Sequence, residues 1–104
     1  LYLFCRKHKK TPPFYHWGDL DLGGFKIWHD LREKTGIPIQ PFLMDEKIYL
    51  EHLHLGQPIS EQYTQKLATL LEDSAFAPFH TLITLILEKK IRLEQEAISL
   101  LPTR

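Results

Sequence analysis

The chain has 104 residues, which is enough for one domain with a modest core and too few for two independent domains. Hydrophobic residues make up 43% and charged residues 25% of the sequence, without low-complexity tracts, so the composition is that of a folded globular protein. The 13 Lys and Arg residues balance the 13 Asp and Glu residues, which excludes nucleic-acid binding through an overall basic charge and leaves only local contacts.

The first 13 residues are predicted to be the tail of an element that begins before this chain, which starts with Leu. Residues 1–5 are apolar, residues 6–10 contain Arg6, Lys7, Lys9 and Lys10, and the prolines at 12 and 13 stop the segment. The basic cluster is a candidate DNA contact or a solvated helix end. A lone Cys5, the absence of a signal-peptide pattern and the lack of any apolar run near 20 residues predict a cytoplasmic protein without a membrane span.

Residues 14–45 are predicted to form a strand, a loop, a helix and a second strand. Phe14 to Trp17 is a short aromatic run typical of a buried strand. From Phe25 the apolar residues recur at helical spacing up to Gly36, a C-terminal stop. Residues 37–44 are extended and contain two prolines, as in an edge strand. This order predicts a right-handed parallel crossover, and therefore an α/β fold with a small parallel sheet flanked by helices.

The remaining sequence predicts three further helices. Ser60 caps a helix that carries Tyr63 and Leu67, and a second amphipathic helix runs from Phe79 to Ile86 with Pro78 near its first turn. Residues 91–101 predict a shorter third helix, with Arg92 to Glu96 as its solvated start. No internal repeat or linker divides the chain, so one domain is expected over residues 1–104. The terminal helices are candidates for covering the sheet or for an interface, including that of a homodimer.

Two aspartates, Asp19 and Asp21, follow the first predicted strand and precede two glycines. Ligands bind at the carboxyl ends of parallel strands, and residues two apart on an extended backbone point to the same side, within about 7 Å. Two carboxylates so placed suit Mg²⁺ or Mn²⁺, with waters and phosphate oxygens completing the coordination. Asp45 ends the next strand and is expected at the same edge as a third ligand or a neighbour of the ligands.

Each of these residues also has a purely structural interpretation. Aspartates after strands often cap helices or form turns, and this applies to all three. His52 and His54 alternate with leucines, but no second pair of Cys or His completes a zinc site. His16 is a candidate phosphate contact, although strand histidines usually serve packing. Trp17 and Trp28 are assigned to the core.

The run from Tyr15 to Phe25, with Leu31-Arg32, Leu43-Met44-Asp45 and Leu93-Glu94-Gln95-Glu96, resembles the C-terminal domain of the JetD subunits of Wadjet plasmid-defence systems. The resemblance implies a Toprim-like, Rossmann-like fold related to the A subunit of topoisomerase VI. It also implies a nuclease that cleaves double-stranded DNA together with a condensin-like defence complex. Asp19 and Asp21 then correspond to catalytic Mg²⁺ ligands.

One feature departs from the Toprim pattern. The resemblance implies a glutamate on an earlier strand as a further metal ligand, yet residues 1–18 contain no Asp or Glu. We attribute this to a chain that starts after that strand, and we expect the fragment alone to be inactive. Whether water or a tyrosine from another domain attacks the phosphate stays open, with hydrolysis preferred.

Two other functions compete with the nuclease. Phosphatases with an aspartate nucleophile also carry Asp-x-Asp after a strand, but they have four apolar residues before the motif and Thr or Val two residues after it, whereas Gly18 and Gly23 flank it here. A degenerate Toprim-like domain that docks partner subunits or DNA without catalysis is the alternative outside enzymes.

Overall fold

The computed structural model describes residues 14–99, except for the side chain of Ser99. The predictions for Cys5, for the basic cluster and for the end of the third helix lie outside the described residues. Four short strands alternate with helices: β1 (Tyr15–His16), α1 (Leu22–Thr35), β2 (Gln40–Pro41), α2 (Glu46–Glu51), β3 (Gln57–Pro58), α3 (Glu61–Ala68), α4 (His80–Lys89), β4 (Ile91–Arg92) and α5 (Gln95–Ser99). Three 3₁₀ turns complete the order: Leu53–Leu55, Thr69–Glu72 and Ser74–Phe79.

The predicted strand, helix and strand at residues 14–45 are confirmed. β1 and β2 pair in parallel, with Tyr15 opposite Gln40, and α1 connects them. The helix ends at Gly36, whose φ of 69° is left-handed and whose amide donates to the carbonyl of Arg32. A residue without a side chain adopts this conformation at little cost, which explains the stop at this position.

The core forms where α1 packs against the chain around α4. The ring of Phe79 lies 4.6 Å from that of Phe25 and 4.8 Å from that of Trp28, the latter edge to face. The indole Nε1 of Trp28 donates to the carbonyl of Ile39 at 2.9 Å, so the helix is joined to the start of β2 by a buried hydrogen bond. The predicted core role of Trp28 is confirmed, and Trp17 packs against the same core while partly buried. The other fully buried large side chains are those of Leu20, Ile39, Tyr49, Leu67, Leu82, Ile83, Ile86 and Leu93.

The two middle helices also follow the sequence prediction. Ser60 caps α3 by accepting from the amide of Tyr63 at 3.1 Å. α4 covers residues 80–89, and Pro78 lies in the 3₁₀ turn that leads into it. No single helix among residues 14–99 is long and apolar enough to cross a membrane; residues 61–72 and 74–89 reach that length only as a pair bent by 112°.

The prediction of a helix from residue 91 was wrong for its first residues. Ile91 and Arg92 form β4, which pairs antiparallel with β3 and places Arg92 opposite Gln57. Leu93 is fully buried and forms an isolated antiparallel bridge with Leu20, so this stretch is not a solvated helix start. The helix begins only at Gln95. Strand pairing with distant residues therefore overrides the predicted helix at residues 91–93.

We expect Trp28→Phe to lower the free energy of unfolding by about 1–3 kcal/mol, because the carbonyl of Ile39 loses its buried donor. Urea unfolding followed by circular dichroism measures the change. Ile27, on the exposed side of the same helix, provides the control, and Ile27→Ala should stay within about 0.5 kcal/mol of the unmodified protein. Equal losses in both variants would contradict the assignment of the Trp28 bond.

Candidate functional site

Asp21 combines a helix cap with a second carboxylate oxygen that faces a cation. It is the residue before α1, its backbone is extended, and its Oδ1 accepts from the amide of Gly24 at 2.8 Å. Its Oδ2 lies 3.7 Å from the Nη1 of Arg92. The residue is only 8% exposed. The capping interpretation therefore accounts for one oxygen, and the other faces the guanidinium of Arg92.

Asp19 connects the loop after β1 to the C-terminal part of the described chain. Its Oδ1 accepts from the amide of Gln95 at 2.6 Å, across 76 residues of sequence. The neighbouring bridge holds this arrangement in place, because Leu20 and Leu93 exchange two backbone hydrogen bonds at 2.8 and 3.3 Å. Asp19 also lines an open cleft of about 290 Å³ together with Glu94, Gln95 and Glu96.

The surroundings of Asp21 bring together several charges. Burial raises the pKa of its carboxyl above the usual range, and the nearby charges of Asp19 and Glu94 raise that pKa further. The amide of Gly24 and the guanidinium of Arg92 act in the opposite direction, since both stabilise the ionised form.

Glu94 is a site residue that the sequence reasoning did not identify. Its Oε2 lies 3.7 Å from the Nη1 of Arg92, so one guanidinium faces the carboxylates of both Glu94 and Asp21. The resemblance in the closing motif included this glutamate but gave it no role. Only the pairing of Leu20 with Leu93 brings it to the aspartates, and no local pattern reveals that pairing.

Tyr63 is a second residue that the sequence reasoning did not place at the site. Its hydroxyl accepts from the amide of Leu22, the first residue of α1, at 2.7 Å. Burial raises the pKa of this hydroxyl, and the charges of Asp21 and Asp19 contribute in the same direction. The tyrosine side chain of α3 therefore supports the start of α1 beside both aspartates.

The other candidates have structural contacts of their own. Asp45 is exposed and caps α2 by accepting from the amide of Ile48 at 2.9 Å. It is not among the charged groups that influence the pKa of Asp21. His52 bonds through Nδ1 to the carbonyl of Ile48, and His54 is exposed in the following 3₁₀ turn. The imidazole of His16 is partly buried, and burial lowers its pKa.

The residues present fit a divalent metal held by few protein ligands. Asp19 and Asp21 each accept a hydrogen bond from a backbone amide through Oδ1, and the Oδ2 of Asp21 lies beside the guanidinium of Arg92. Mg²⁺ commonly binds one or two carboxylates and takes its remaining ligands from water and phosphate oxygens. Among residues 14–99, no group of three or more His, Cys, Asp or Glu side chains is arranged to hold a metal ion. The described part of the chain therefore supplies two carboxylates, and their role as metal ligands stays a prediction.

Comparison with known proteins identifies the family of this chain. The family model described as "Wadjet protein JetD, C-terminal" matches residues 4–103. The chain belongs to the JetD C-terminal family. The Wadjet protein JetD of Bacillus cereus (strain Q1) is 36% identical over 86 residues, which cover 83% of this chain and 21% of that protein. The chain thus spans about a fifth of this JetD relative, and no solved structure matches it significantly.

Two adjacent glycines give a matched test of how tightly this site is packed. A Cβ at Gly24 would collide with the backbone carbonyl of Asp19, whereas a Cβ at Gly23 would meet only the Oδ1 of Asp21 at an ordinary 3.6 Å. We expect Gly24→Ala to lower the free energy of unfolding by about 1–3 kcal/mol, as overpacking does. Gly23→Ala should be neutral or stabilising by up to about 1 kcal/mol, because it favours the helix.

Urea unfolding of both variants measures this difference. If Gly24→Ala has the same free energy of unfolding as Gly23→Ala, then the first turn of α1 does not pack closely against the backbone carbonyl of Asp19.

Proposed function

We propose that this chain is part of a metal-dependent DNA nuclease in the JetD branch of plasmid defence, with Asp19 and Asp21 as the ligands of Mg²⁺ or Mn²⁺. The observation that carries the proposal is the gathering of carboxylates at the start of α1: Asp21 and Glu94 face one guanidinium, and the charge of Asp19 acts on the pKa of Asp21. Like charges next to a nearly buried carboxylate cost stability, and their concentration is typical of sites that bind a cation or perform chemistry. Membership of the JetD family supports the same conclusion.

In this proposal the chain contributes carboxylates and the means to hold them. The amides of Gly24 and Gln95 fix one oxygen of Asp21 and of Asp19, so the free oxygens keep a defined position. A divalent ion bound there would polarise the scissile phosphate and stabilise the charge of the leaving oxygen. A glutamate elsewhere in the full-length protein, as in Toprim-like domains, would complete the set. Asp45 remains a proposed third ligand, whose exposed carboxylate now caps α2.

The environment of the described tyrosines favours water as the attacking group. Burial raises the pKa of Tyr49 to about 12, and its hydroxyl donates to the carbonyl of Ile91. Tyr63 also has a raised pKa, and Tyr15 lies edge to face against Phe42 at 6.1 Å. A nucleophilic tyrosine is normally activated by a lowered pKa or an adjacent base. These environments disfavour Tyr49 and Tyr63 as nucleophiles. A tyrosine from another domain stays the alternative, and hydrolysis of the phosphodiester is the reaction that we propose.

The proposed substrate is double-stranded DNA, and the proposed partners are the condensin-like subunits of the defence complex in the cytoplasm. Because the chain has no excess of positive charge, DNA affinity must come largely from other parts of the full-length protein and its complex. The carboxylates would then act on DNA that is delivered to them.

The experiment measures cleavage of closed circular plasmid by the full-length protein with its partner complex in Mg²⁺ or Mn²⁺. Asp19→Asn and Asp21→Asn keep an oxygen that accepts from the backbone amides and remove only the charge. We expect each to lower the cleavage rate by about a hundredfold or more, because metal-based charge stabilisation is worth several kcal/mol. Asp30→Asn, on the exposed side of α1, is the matched control and should cleave normally.

Unchanged cleavage in both Asp19→Asn and Asp21→Asn would reject the nuclease site and favour the docking domain. Asp45→Asn separates the two roles of Asp45. If Asp45 is a metal ligand, this variant should lose cleavage; if Asp45 only caps α2, cleavage should be unchanged.

A further inference from the structure

Arg92 is the positively charged side chain next to the carboxylates, and it is held in an unusual way. Its Nη1 lies 3.7 Å from the Oδ2 of Asp21 and 3.7 Å from the Oε2 of Glu94. Both distances exceed those of charge-assisted hydrogen bonds, which are about 2.7–2.9 Å. The short contact of the guanidinium is instead the bond from Nη2 to the Oε1 of Gln57, at 2.7 Å.

The strand pairing explains this arrangement. Gln57 and Arg92 are direct partners in the β3–β4 pair, so a neutral amide on the neighbouring strand anchors the guanidinium. Nη1 is left to face the two carboxylates by charge attraction alone. The guanidinium can therefore lose its carboxylate neighbours and still keep its main hydrogen bond.

The oxygen that Arg92 faces is also the one that a metal needs. The Oδ1 of Asp21 is committed to the amide of Gly24, and releasing it would remove the cap of α1. Oδ2 is left for a cation, and the Nη1 of Arg92 already lies beside it. A guanidinium and a divalent ion repel each other and cannot share one oxygen at close range. Occupation by one therefore weakens occupation by the other.

We propose that the guanidinium of Arg92 competes with the divalent metal for the carboxylate of Asp21. Arg92 thereby lowers the metal affinity of the site and raises the metal concentration needed to fill it. In the absence of metal, Arg92 balances the buried charge of Asp21 and the neighbouring Glu94. Metal binding moves Nη1 away from Oδ2 while Gln57 retains Nη2. Arg92 acts through Asp21, so it is a positioning residue. The inference rests on the proposed metal site and adds a regulator to it.

The test is Mn²⁺ binding to the full-length protein without DNA, measured by isothermal titration calorimetry. We expect Arg92→Gln to tighten Mn²⁺ binding roughly tenfold, because one positive charge is removed from beside the ion. Arg92→Lys keeps the charge and should bind within about twofold of the unmodified protein. Arg32→Gln is the control, since Arg32 stacks on Trp28 about 16 Å along the helix from Asp21 and should have no effect.

The outcomes separate this inference from the proposed function. Weaker or unchanged binding in folded Arg92→Gln, with normal binding by the unmodified protein, would overturn the competition and leave the metal site intact. No binding by the unmodified protein or by Arg92→Gln would overturn both. Tighter binding in Arg92→Gln that disappears in the double variant with Asp21→Asn would support both.

A second measurement avoids dependence on the folding of Arg92→Gln. In unmodified protein with ¹⁵N-labelled arginine, the Nε–H resonance of Arg92, assigned by its absence from Arg92→Lys, should shift when Mg²⁺ is added. A resonance that stays in place while the site fills with Mg²⁺ would contradict displacement of the guanidinium.

Discussion

The backbone bridge between Leu20 and Leu93 is the contact on which the candidate site depends. Both side chains are fully buried, and the bridge joins the loop after β1 to the residues that directly follow β4. Without it, Asp19 would not reach the amide of Gln95. A pair of hydrogen bonds inside the core is not exposed to competition from water, so the loop has little freedom to open. The geometry of the carboxylates is thus set by the core rather than by the loop itself.

Capping and ligand binding are compatible in this arrangement, although they appear as alternatives in the sequence. A carboxylate has two oxygens, and in Asp19 and Asp21 a backbone amide engages only one of them. The cap fixes the rotation of the side chain and therefore the direction of the second oxygen. A carboxylate whose orientation is already fixed loses less conformational entropy when a metal binds to it. Asp45 lacks this context, because its side chain is exposed and it is not among the charged groups that act on Asp21.

The sequence was sufficient for features that are encoded within about one helix length. The presence of α1, its stop at Gly36 and the parallel pairing of β1 with β2 follow from spacing, glycine and the order of the elements, although α1 begins at Leu22, three residues before the predicted Phe25. It was insufficient for β4, which lies at the start of a segment predicted to be helical and forms a strand by pairing with β3. Glu94 and Tyr63 reach the site through that same long-range packing, so no pattern within a short window could have placed them.

The cap of α1 is an aspartate rather than a neutral residue, and this difference bears on the function of position 21. A serine would cap α1 equally well and would not place a charge in a nearly buried position beside two other carboxylates. The amide of Gly24 and the guanidinium of Arg92 offset this cost only in part, since the pKa of Asp21 remains raised. A charge that destabilises the fold where a neutral residue would serve indicates selection for something other than stability. In the function proposed above, that requirement is the binding of a cation, which would relieve the repulsion among these carboxylates.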